Sequence, residues 1–252
     1  MSVGICRIAV TPMRAEASHR AEMVSQLLFG EACEILHEAG DWLQVRGLYD
    51  DYEGYVDVKA LAIVGDNDDA AFDAFTADVC NLLIADDGPH ILPLGTPVPS
   101  MARGFAMGKQ LENNYVYEGE YFLPENVNVV ETAHMFLNTP YLWGGKSSFG
   151  IDCSGFVQQV YKLHGVKLPR DAWQQAAHGE VLSFLEEGVA GDLVFFDNEE
   201  GKITHVGMLL EDRQIIHAHG KVRIDVLDHG GIFNRETKKH THKLRFLRHI
   251  SQ

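Results

Sequence analysis

The chain has 252 residues, which exceeds a typical single domain of about 100–200 residues and predicts two or three domains. Its composition is that of an ordinary globular protein, with 46% hydrophobic and 23% charged residues. The formal net charge of −15 at pH 7 argues against nucleic acid and anionic membranes as partners. We therefore expect neither kind of partner, and we expect a monomer.

The N-terminal residues and the cysteines bear on where the protein works. Residues 1–13 lack the basic start and the apolar run of about 7–15 residues that mark a signal peptide, and no stretch approaches the roughly 20 apolar residues of a membrane span. Cys6, Cys33, Cys80 and Cys153 lack C-x-x-C spacing, which argues against a zinc site or a disulfide framework. We expect a cytoplasmic protein with four free thiols and no metal, with export as the alternative if a leader has been removed.

Short strands separated by turns fill the first 64 residues. They are predicted over residues 5–11, 31–37, 42–47 and 52–57, with turns at 39–41 and 49–51. Their close spacing and alternating polarity predict a small β-barrel. Residues 14–26 are too polar for a core strand and are interpreted as a long loop.

Two further regions follow the predicted barrel. An acidic run over residues 65–78 is interpreted as a solvated boundary, and the short apolar segments of residues 81–122 as a second barrel. A helix is predicted over residues 127–137, and helices followed by strands are typical of an α+β domain. The predicted domains are therefore residues 1–64, 65–125 and 126–252.

The stretch Y-L-W-G-G-K-S-S-F-G-I-D-C-S-G-F, residues 141–156, centres on Cys153. Apolar residues at 156, 157, 160 and 163 predict a helix that begins at or near this cysteine. The free N–H groups and the dipole at a helix N-terminus favour a thiolate by lowering its pKa, and they can stabilise an oxyanion. Small neighbours at Ser154 and Gly155 leave room for a carbonyl group. An inert buried thiol is the alternative for any single cysteine.

A thiol nucleophile needs a nearby base and a third group that orients the base. Residues 204–210 and 214–219 flank a turn at 211–213 and predict an antiparallel hairpin. In such a hairpin His205 lies nearly opposite His219 and diagonal to His217, so either one could orient His205. The alternative for each histidine is an ordinary packed or solvated side chain.

These elements resemble a known family. Y-L-W-G-G, D-C-S-G-F, T-H-V-G on a strand, and a histidine twelve residues later are similar to the NlpC/p60 cell-wall peptidases, which have a papain-like fold. The resemblance covers roughly residues 126–252 and implies that Cys153 is the nucleophile, His205 the base and His217 the orienting residue. It thereby prefers His217 to His219. G-D-W-L-Q-V and E-G-Y-V in the first region resemble bacterial SH3-like modules that are often joined to these peptidases.

The resemblance also implies a substrate. Family members with N-terminal SH3-like domains cleave between γ-D-glutamate and the diamino acid of murein stem peptides, and they require a free N-terminal L-alanine. By resemblance, Asp171 in L-P-R-D-A-W-Q-Q holds that ammonium group, which needs a carboxylate because leaving water is costly for a charge. A helix-capping role is the alternative for Asp171.

Other site residues are implied in the same way. Ser154 and Asp152 border the site and Trp143 forms a wall. Tyr55, and Glu22 with it, contact the L-alanine end of the peptide from the first barrel. For Tyr55 the alternative is a packed aromatic residue of the barrel.

The sequence therefore predicts a γ-D-glutamyl-L-diamino acid endopeptidase, a cysteine peptidase that needs no cofactor and recycles murein stem peptides. Its expected fold is an α+β, papain-like NlpC/p60 domain preceded by two small all-β SH3-like barrels. One alternative is a thiol amidase or acyltransferase on the same fold, against which the barrels and Asp171 argue. The other is a murein-binding protein with a spent catalytic domain, against which the intact cysteine and histidines argue.

Overall fold

The computed structural model describes residues 2–64, 74–98, 115–117 and 119–251. The chain divides into two units. Met1–Leu123 together with Trp143–Ser148 form the first unit, and Pro124–Leu142 together with Phe149–Gln252 form the second. Most of the predicted acidic boundary and the middle of the predicted second barrel lie outside the described residues. Within the described part of the chain, no helix is long and apolar enough to cross a membrane.

The first unit is built from strands. In chain order they are β1 (Val3–Cys6), β2 (Val10–Arg14), β3 (Met23–Leu28), β4 (Ala32–Ala39), β5 (Trp42–Gly47), β6 (Glu53–Asp57), β7 (Leu61–Val64), β8 (Ala74–Phe75), β9 (Cys80–Ala85), β10 (Gly88–Pro93), β11 (Pro97–Val98), β12 (Tyr115–Tyr117) and β13 (Lys146–Ser147). β1 to β7 form one antiparallel sheet in the order β3-β2-β6-β5-β4-β1-β7. A three-stranded sheet, β10-β9-β12, and a two-stranded sheet, β11-β8, follow it. This region confirms the all-β character predicted for the N-terminal part, whereas the limits of its two predicted barrels stay predictions.

One strand prediction and one loop prediction in this unit are wrong. The single strand expected over residues 5–11 is two strands, because β1 pairs with β4 and β7 whereas β2 pairs with β3 and β6. The loop expected over residues 14–26 ends early, because β3 begins at Met23. The polar residues Ser25 and Gln26 of β3 are buried, and Oε1 of Gln26 accepts a hydrogen bond of 2.8 Å from the backbone N–H of Lys146. A buried polar side chain with a partner is compatible with a core strand.

Residues 143–148, which precede the nucleophile helix in the chain, belong to the first unit. Gly144 has a φ of 75°, and a Cβ atom there would collide with the backbone oxygen of Met23, so only glycine fits. Nζ of Lys146 lies 3.1 Å from Oε2 of Glu31, and both side chains are buried. The W-G-G-K part of the motif is therefore explained by packing within the first unit.

Among its described residues, the second unit combines three α-helices with a large antiparallel sheet. The helices are α1 (Val129–Met135), α2 (Cys153–Leu163) and α3 (Ala172–Gln175). The strands are β14 (Gly150–Ile151), β15 (Glu180–Leu182), β16 (Leu193–Asp197), β17 (Ile203–Leu210), β18 (Gln214–His219), β19 (Lys221–Asp228), β20 (Gly231–Asn234) and β21 (Lys239–His249). The sheet order is β15-β21-β16-β17-β18-β19-β20, and β20 also pairs with β21, so six strands form a closed circuit. The α+β class predicted for this part of the chain is confirmed.

The helices form where local sequence favours them. Asn128 caps α1 by accepting the backbone N–H groups of Val130 and Glu131, and Glu131 returns a bond to the N–H of Asn128. α2 is buried along its whole length and packs on β17, so it lies between the sheet and α1. The predicted helix at Cys153 is confirmed, because α2 begins at that residue. The predicted hairpin is also confirmed, because Met208 pairs with Ile216 and Leu210 with Gln214 across β17 and β18.

Candidate active site

Cys153 is the first residue of α2, where its surroundings are set by backbone groups. Oδ1 of Asp152, the capping residue, accepts the N–H of Gly155 at 2.7 Å. The backbone N–H groups of Val206 and Ser154 lie at the Cys153 sulfur. Since Val206 directly follows His205, the thiol lies next to β17, the strand that carries the predicted base.

The thiol of Cys153 is protonated at neutral pH. Burial raises its pKa to about 12, and the Asp152 carboxylate raises it further, whereas the Val206 N–H, the Arg170 guanidinium and the Ser154 N–H act in the opposite direction. The prediction of a lowered pKa is therefore wrong, because burial outweighs the helix terminus. The sulfur consequently needs a base to remove its proton as it attacks.

A chain of hydrogen bonds leads from His205 into the sheet. Nε2 of His205 lies 2.9 Å from Nδ1 of His217, and Nε2 of His217 lies 3.1 Å from Oδ2 of Asp225. All three side chains are buried. Arg223 donates to both Asp225 oxygens, at 2.7 and 3.0 Å, and so fixes that carboxylate.

The direction of these bonds follows from charge. Although burial raises the pKa of Asp225, hydrogen bonds from His217 and Arg223 hold it below its usual value, so Asp225 is a carboxylate that accepts a hydrogen bond from Nε2–H of His217. Burial lowers the pKa of His217, which is therefore neutral and accepts at Nδ1. His205 must then donate from Nε2, which leaves its Nδ1 as the lone pair that can take a proton. Burial also lowers the pKa of His205 well below the usual value, with His242, His217 and His219 adding to the effect.

Asp225 is the functional residue that sequence reasoning missed. β19 pairs with β18 so that His217 faces Arg223 and Ile215 faces Asp225, which places Asp225 diagonal to His217. The available signal is the pair Arg223 and Asp225, two residues apart on a strand whose neighbours are apolar. A pair of opposite charges on one face of an otherwise apolar strand after the histidines indicates a partner for them.

We expect the substitution Asp225→Asn to lower kcat roughly 100-fold while KM changes little. An asparagine amide can donate to Nε2 of His217, which moves the His217 proton to Nδ1 and forces His205 to donate toward the thiol. His205 then has no lone pair for the Cys153 proton. Steady-state kinetics with a cleavable peptide measures the change.

The matched control is Glu236→Gln, which removes the other acidic partner of Arg223, 3.3 Å away and exposed. We expect this variant to retain native kcat. An Asp225→Asn variant that is folded and fully active would show that Asp225 does not position the histidines.

Asp152 and Ser154, predicted to border the site, are bound to a buried arginine. Arg170 donates to Oδ1 and Oδ2 of Asp152 at 3.0 and 2.7 Å, and to Oγ of Ser154 at 3.0 Å. Ser154 in turn donates to Oδ1 of Asp152 at 3.3 Å. These contacts hold the first turn of α2, so both residues support the position of Cys153.

Asp171 occupies the capping position of α3, and its backbone N–H donates to Oε1 of Gln174 at 3.0 Å. The segment is fixed to the nucleophile helix, because Nε2 of Gln175 donates to the backbone oxygen of Ser154 at 3.0 Å. Asp171 is half-buried. The position agrees with the capping alternative, and the predicted binding of an ammonium group by Asp171 stays a prediction.

Three predicted site residues belong to the first unit. Nε1 of Trp143 donates to Oε1 of Glu22 at 2.6 Å, and both side chains are exposed. Tyr55 is half-buried on β6, where it pairs with Gln44 of β5 and Arg14 of β2. The structure therefore joins Trp143 to Glu22, while the roles of these residues and of Tyr55 stay predictions.

Segments of both units match known protein families. Residues 138–242 match the NlpC/P60 family, and residues 13–61 match the bacterial dipeptidyl-peptidase SH3 domain. The fold is similar to that of a crystallised NlpC/P60 family protein from Bacillus cereus, with a TM-score of 0.80 and 20% identity over 98% of this chain and 99% of the other. An NlpC/P60 endopeptidase from Photobacterium damselae subsp. piscicida gives a TM-score of 0.73 at 16% identity, over 97% of this chain and 70% of that one.

Curated relatives carry specific names. The chain is 28% identical over 225 residues to a gamma-D-glutamyl-L-lysine dipeptidyl-peptidase of Bacillus cereus, covering 78% of this chain and 67% of the relative. It is 45% identical over 93 residues to the Bacillus subtilis protein of the same name, covering 36% of this chain and 31% of the relative. Dipeptidyl-peptidase 6 of Lysinibacillus sphaericus is 29% identical over 244 residues, which cover 85% of this chain and 88% of the relative.

Proposed function

The chain belongs to the NlpC/P60 family of cysteine peptidases through residues 138–242, and we propose that it hydrolyses the bond between γ-D-glutamate and an L-diamino acid in murein peptides. The observation that carries the proposal is the buried chain from His205 through His217 to Asp225, which begins on the strand whose Val206 N–H lies at the Cys153 sulfur. This arrangement supplies a nucleophile, a base with a free lone pair, and a fixed tautomer. Those three features are what thiol acyl transfer requires.

The first half of the reaction forms a thioester. Nδ1 of His205 takes the Cys153 proton while the sulfur attacks the γ-carbonyl carbon of D-glutamate, and the carbonyl oxygen becomes an oxyanion. We assign its stabilisation to N–H groups of the first turn of α2 other than that of Gly155, which is already bonded to Asp152. Collapse of the intermediate breaks the C–N bond, and His205 gives its proton to the leaving amine.

The second half restores the enzyme. His205, neutral again, takes a proton from water, and the resulting hydroxide attacks the thioester carbon. The C–S bond breaks, the product leaves with a free γ-carboxyl group, and Cys153 regains a proton from His205. The His217–Asp225 pair stabilises the imidazolium form of His205 in each half.

The substrate class rests on the relatives and on Asp171. Relatives of both Bacillus species are named for the γ-D-glutamyl-L-lysine bond. We propose that Asp171 binds the free L-alanine ammonium group and that Ser154 and Asp152, which contact Arg170, border the site. Trp143 is proposed to form a wall of the site, and Tyr55 and Glu22 to contact the L-alanine end of the peptide. A free amine requirement excludes stem peptides still attached to sugar, so we propose recycling of released peptides in the cytoplasm.

The test is incubation with L-Ala-γ-D-Glu-L-Lys and with its meso-diaminopimelate counterpart, analysed by mass spectrometry beside the Cys153→Ala variant. We expect the native protein alone to release the dipeptide L-Ala-γ-D-Glu. N-acetylation of the L-alanine should lower kcat/KM roughly 100-fold, because it removes the ammonium group that the half-buried carboxylate of Asp171 is proposed to bind.

The outcomes separate the alternatives. Equal cleavage of acetylated and free peptides would remove the free-amine requirement and the role of Asp171. Intact tripeptides together with binding to whole sacculi would favour the murein-binding protein, and turnover of esters without peptides would favour an amidase or acyltransferase.

A further inference from the structure

A polar pocket of about 580 Å³ lies in the second unit, at the end of the sheet where β16, β17 and β21 meet. Its lining includes Asp197, Asn198, Glu199, Thr204, His242 and Lys243. The strands are irregular here. The register shifts between Phe196 and Asp197 in the pairing with β17, and between Phe195 and Phe196 in the pairing with β21. Such bulges redirect side chains and are common beside active sites.

The pocket contains a buried carboxylate that is only half satisfied. The Asp197 side chain is 5% exposed, and its Oδ2 lies 3.6 Å from Nε of Arg245. Its Oδ1 is buried and has no hydrogen-bond partner among the described residues. A buried carboxylate oxygen without a donor is costly, which indicates that a donor from outside the chain binds there.

The pocket adjoins the base. Thr204 directly precedes His205 on β17, and the His242 ring stacks on the His205 ring with centroids 4.1 Å apart and an interplanar angle of 22°. Burial, with His217 and His219 nearby, lowers the pKa of His242 to about 4, so this ring is uncharged at neutral pH and does not repel a cation. The pocket is therefore adjacent to the ring that gives a proton to the leaving amine in the proposed mechanism.

We propose that this pocket receives the side chain of the leaving diamino acid and that Asp197 binds its terminal ammonium group. The inference rests on the proposed function, because that side chain begins one carbon from the amine that His205 protonates. Both lysine and diaminopimelate end in an ammonium group. Lys243, which pairs with Asp197 across β16 and β21, adds a cation for the carboxylate that only diaminopimelate carries.

The test compares three tripeptides, L-Ala-γ-D-Glu-X, in which X is L-lysine, L-norleucine or meso-diaminopimelate. Norleucine has the lysine chain without the ammonium group. We expect kcat/KM of the native protein to be about 30-fold or more higher for lysine than for norleucine. In the Asp197→Asn variant, kcat/KM for the lysine peptide should fall to within about 3-fold of that for the norleucine peptide. The norleucine peptide should be cleaved as fast as by the native protein.

The controls isolate the pocket. Asp228→Asn removes a carboxylate of the same unit that is exposed and paired with His240, and it should keep the native ratio. Lys243→Met should lower kcat/KM for diaminopimelate and leave lysine unchanged, which provides a second variant if Asp197→Asn does not fold.

Each outcome decides one point. Equal native turnover of lysine and norleucine peptides overturns the subsite and leaves the proposed function intact. A native ratio in a folded Asp197→Asn variant overturns the role of that residue. Absence of cleavage for all three peptides overturns the proposed function and the subsite with it.

Discussion

Replacement of His205 by alanine is expected to lower kcat/KM for the tripeptide roughly 1,000-fold or more. The Cys153 thiol has a pKa raised to about 12 by burial, so it does not ionise at neutral pH without a base. Nδ1 of His205 is the acceptor that the bonds to His217 and Asp225 leave available. The loss should appear in kcat, because the proton transfer belongs to the chemical step.

The neighbouring histidines provide the controls. His217→Ala should lower kcat roughly 100-fold, because His205 keeps its position less well without the bond at Nε2. His219 is exposed and lies on β18 like His217, with its ring centroid 6.5 Å from that of His205. The kcat of His219→Ala should therefore stay within about 3-fold of the native value. A large loss in His219→Ala with an active His217→Ala would reverse the assignment of the orienting residue.

The two histidines of the proposed catalytic set could be predicted because the hairpin is local. With a three-residue turn, the register of β17 and β18 follows from the sequence, and the period of two in a strand brings His217 and His219 to the face of His205. The register alone left two candidates. Ring orientation decides between them, and His217 is the one bonded to Nε2 of His205.

Other parts of the site depend on contacts between distant residues. Asp225 reaches His217 only because β19 pairs with β18, and Arg170 reaches Asp152 only through the turn before α3. Trp143 and Glu22 are bonded across 121 positions of the chain. No local pattern specifies such pairs, and the same holds for the burial that raises the pKa of Cys153.

The fold shows the same division between local and distant effects. The α2 helix was predictable because its capping residue Asp152 and its apolar face lie within a dozen positions. β3 was not predictable, because the polarity of Ser25 and Gln26 resembles a loop until Lys146 supplies a hydrogen bond from the segment before the nucleophile. A strand that contains buried polar residues can be predicted only when the hydrogen-bond partners of those residues are known.

Replacement of Arg170 by methionine is expected to lower the free energy of unfolding of the second unit by about 3–5 kcal/mol. Arg170 is 1% exposed and makes a two-point contact with the buried carboxylate of Asp152, which the variant leaves without its cation. Urea unfolding is monitored by hydrogen exchange in peptides from residues 149–251. The variant should unfold at a lower urea concentration, while the slope of the unfolding free energy against urea stays unchanged.

The matched control, Arg213→Met, lies in the same unit and removes an exposed pair with Glu186 at 3.3 Å, so it should cost less than about 1 kcal/mol. Equal midpoints for the two variants would show that the buried pair does not stabilise the first turn of α2. The double variant Arg170→Met with Asp152→Asn adds a direct measure of the pair. It should recover part of the lost stability, because an asparagine can still accept the N–H of Gly155 without leaving a buried charge.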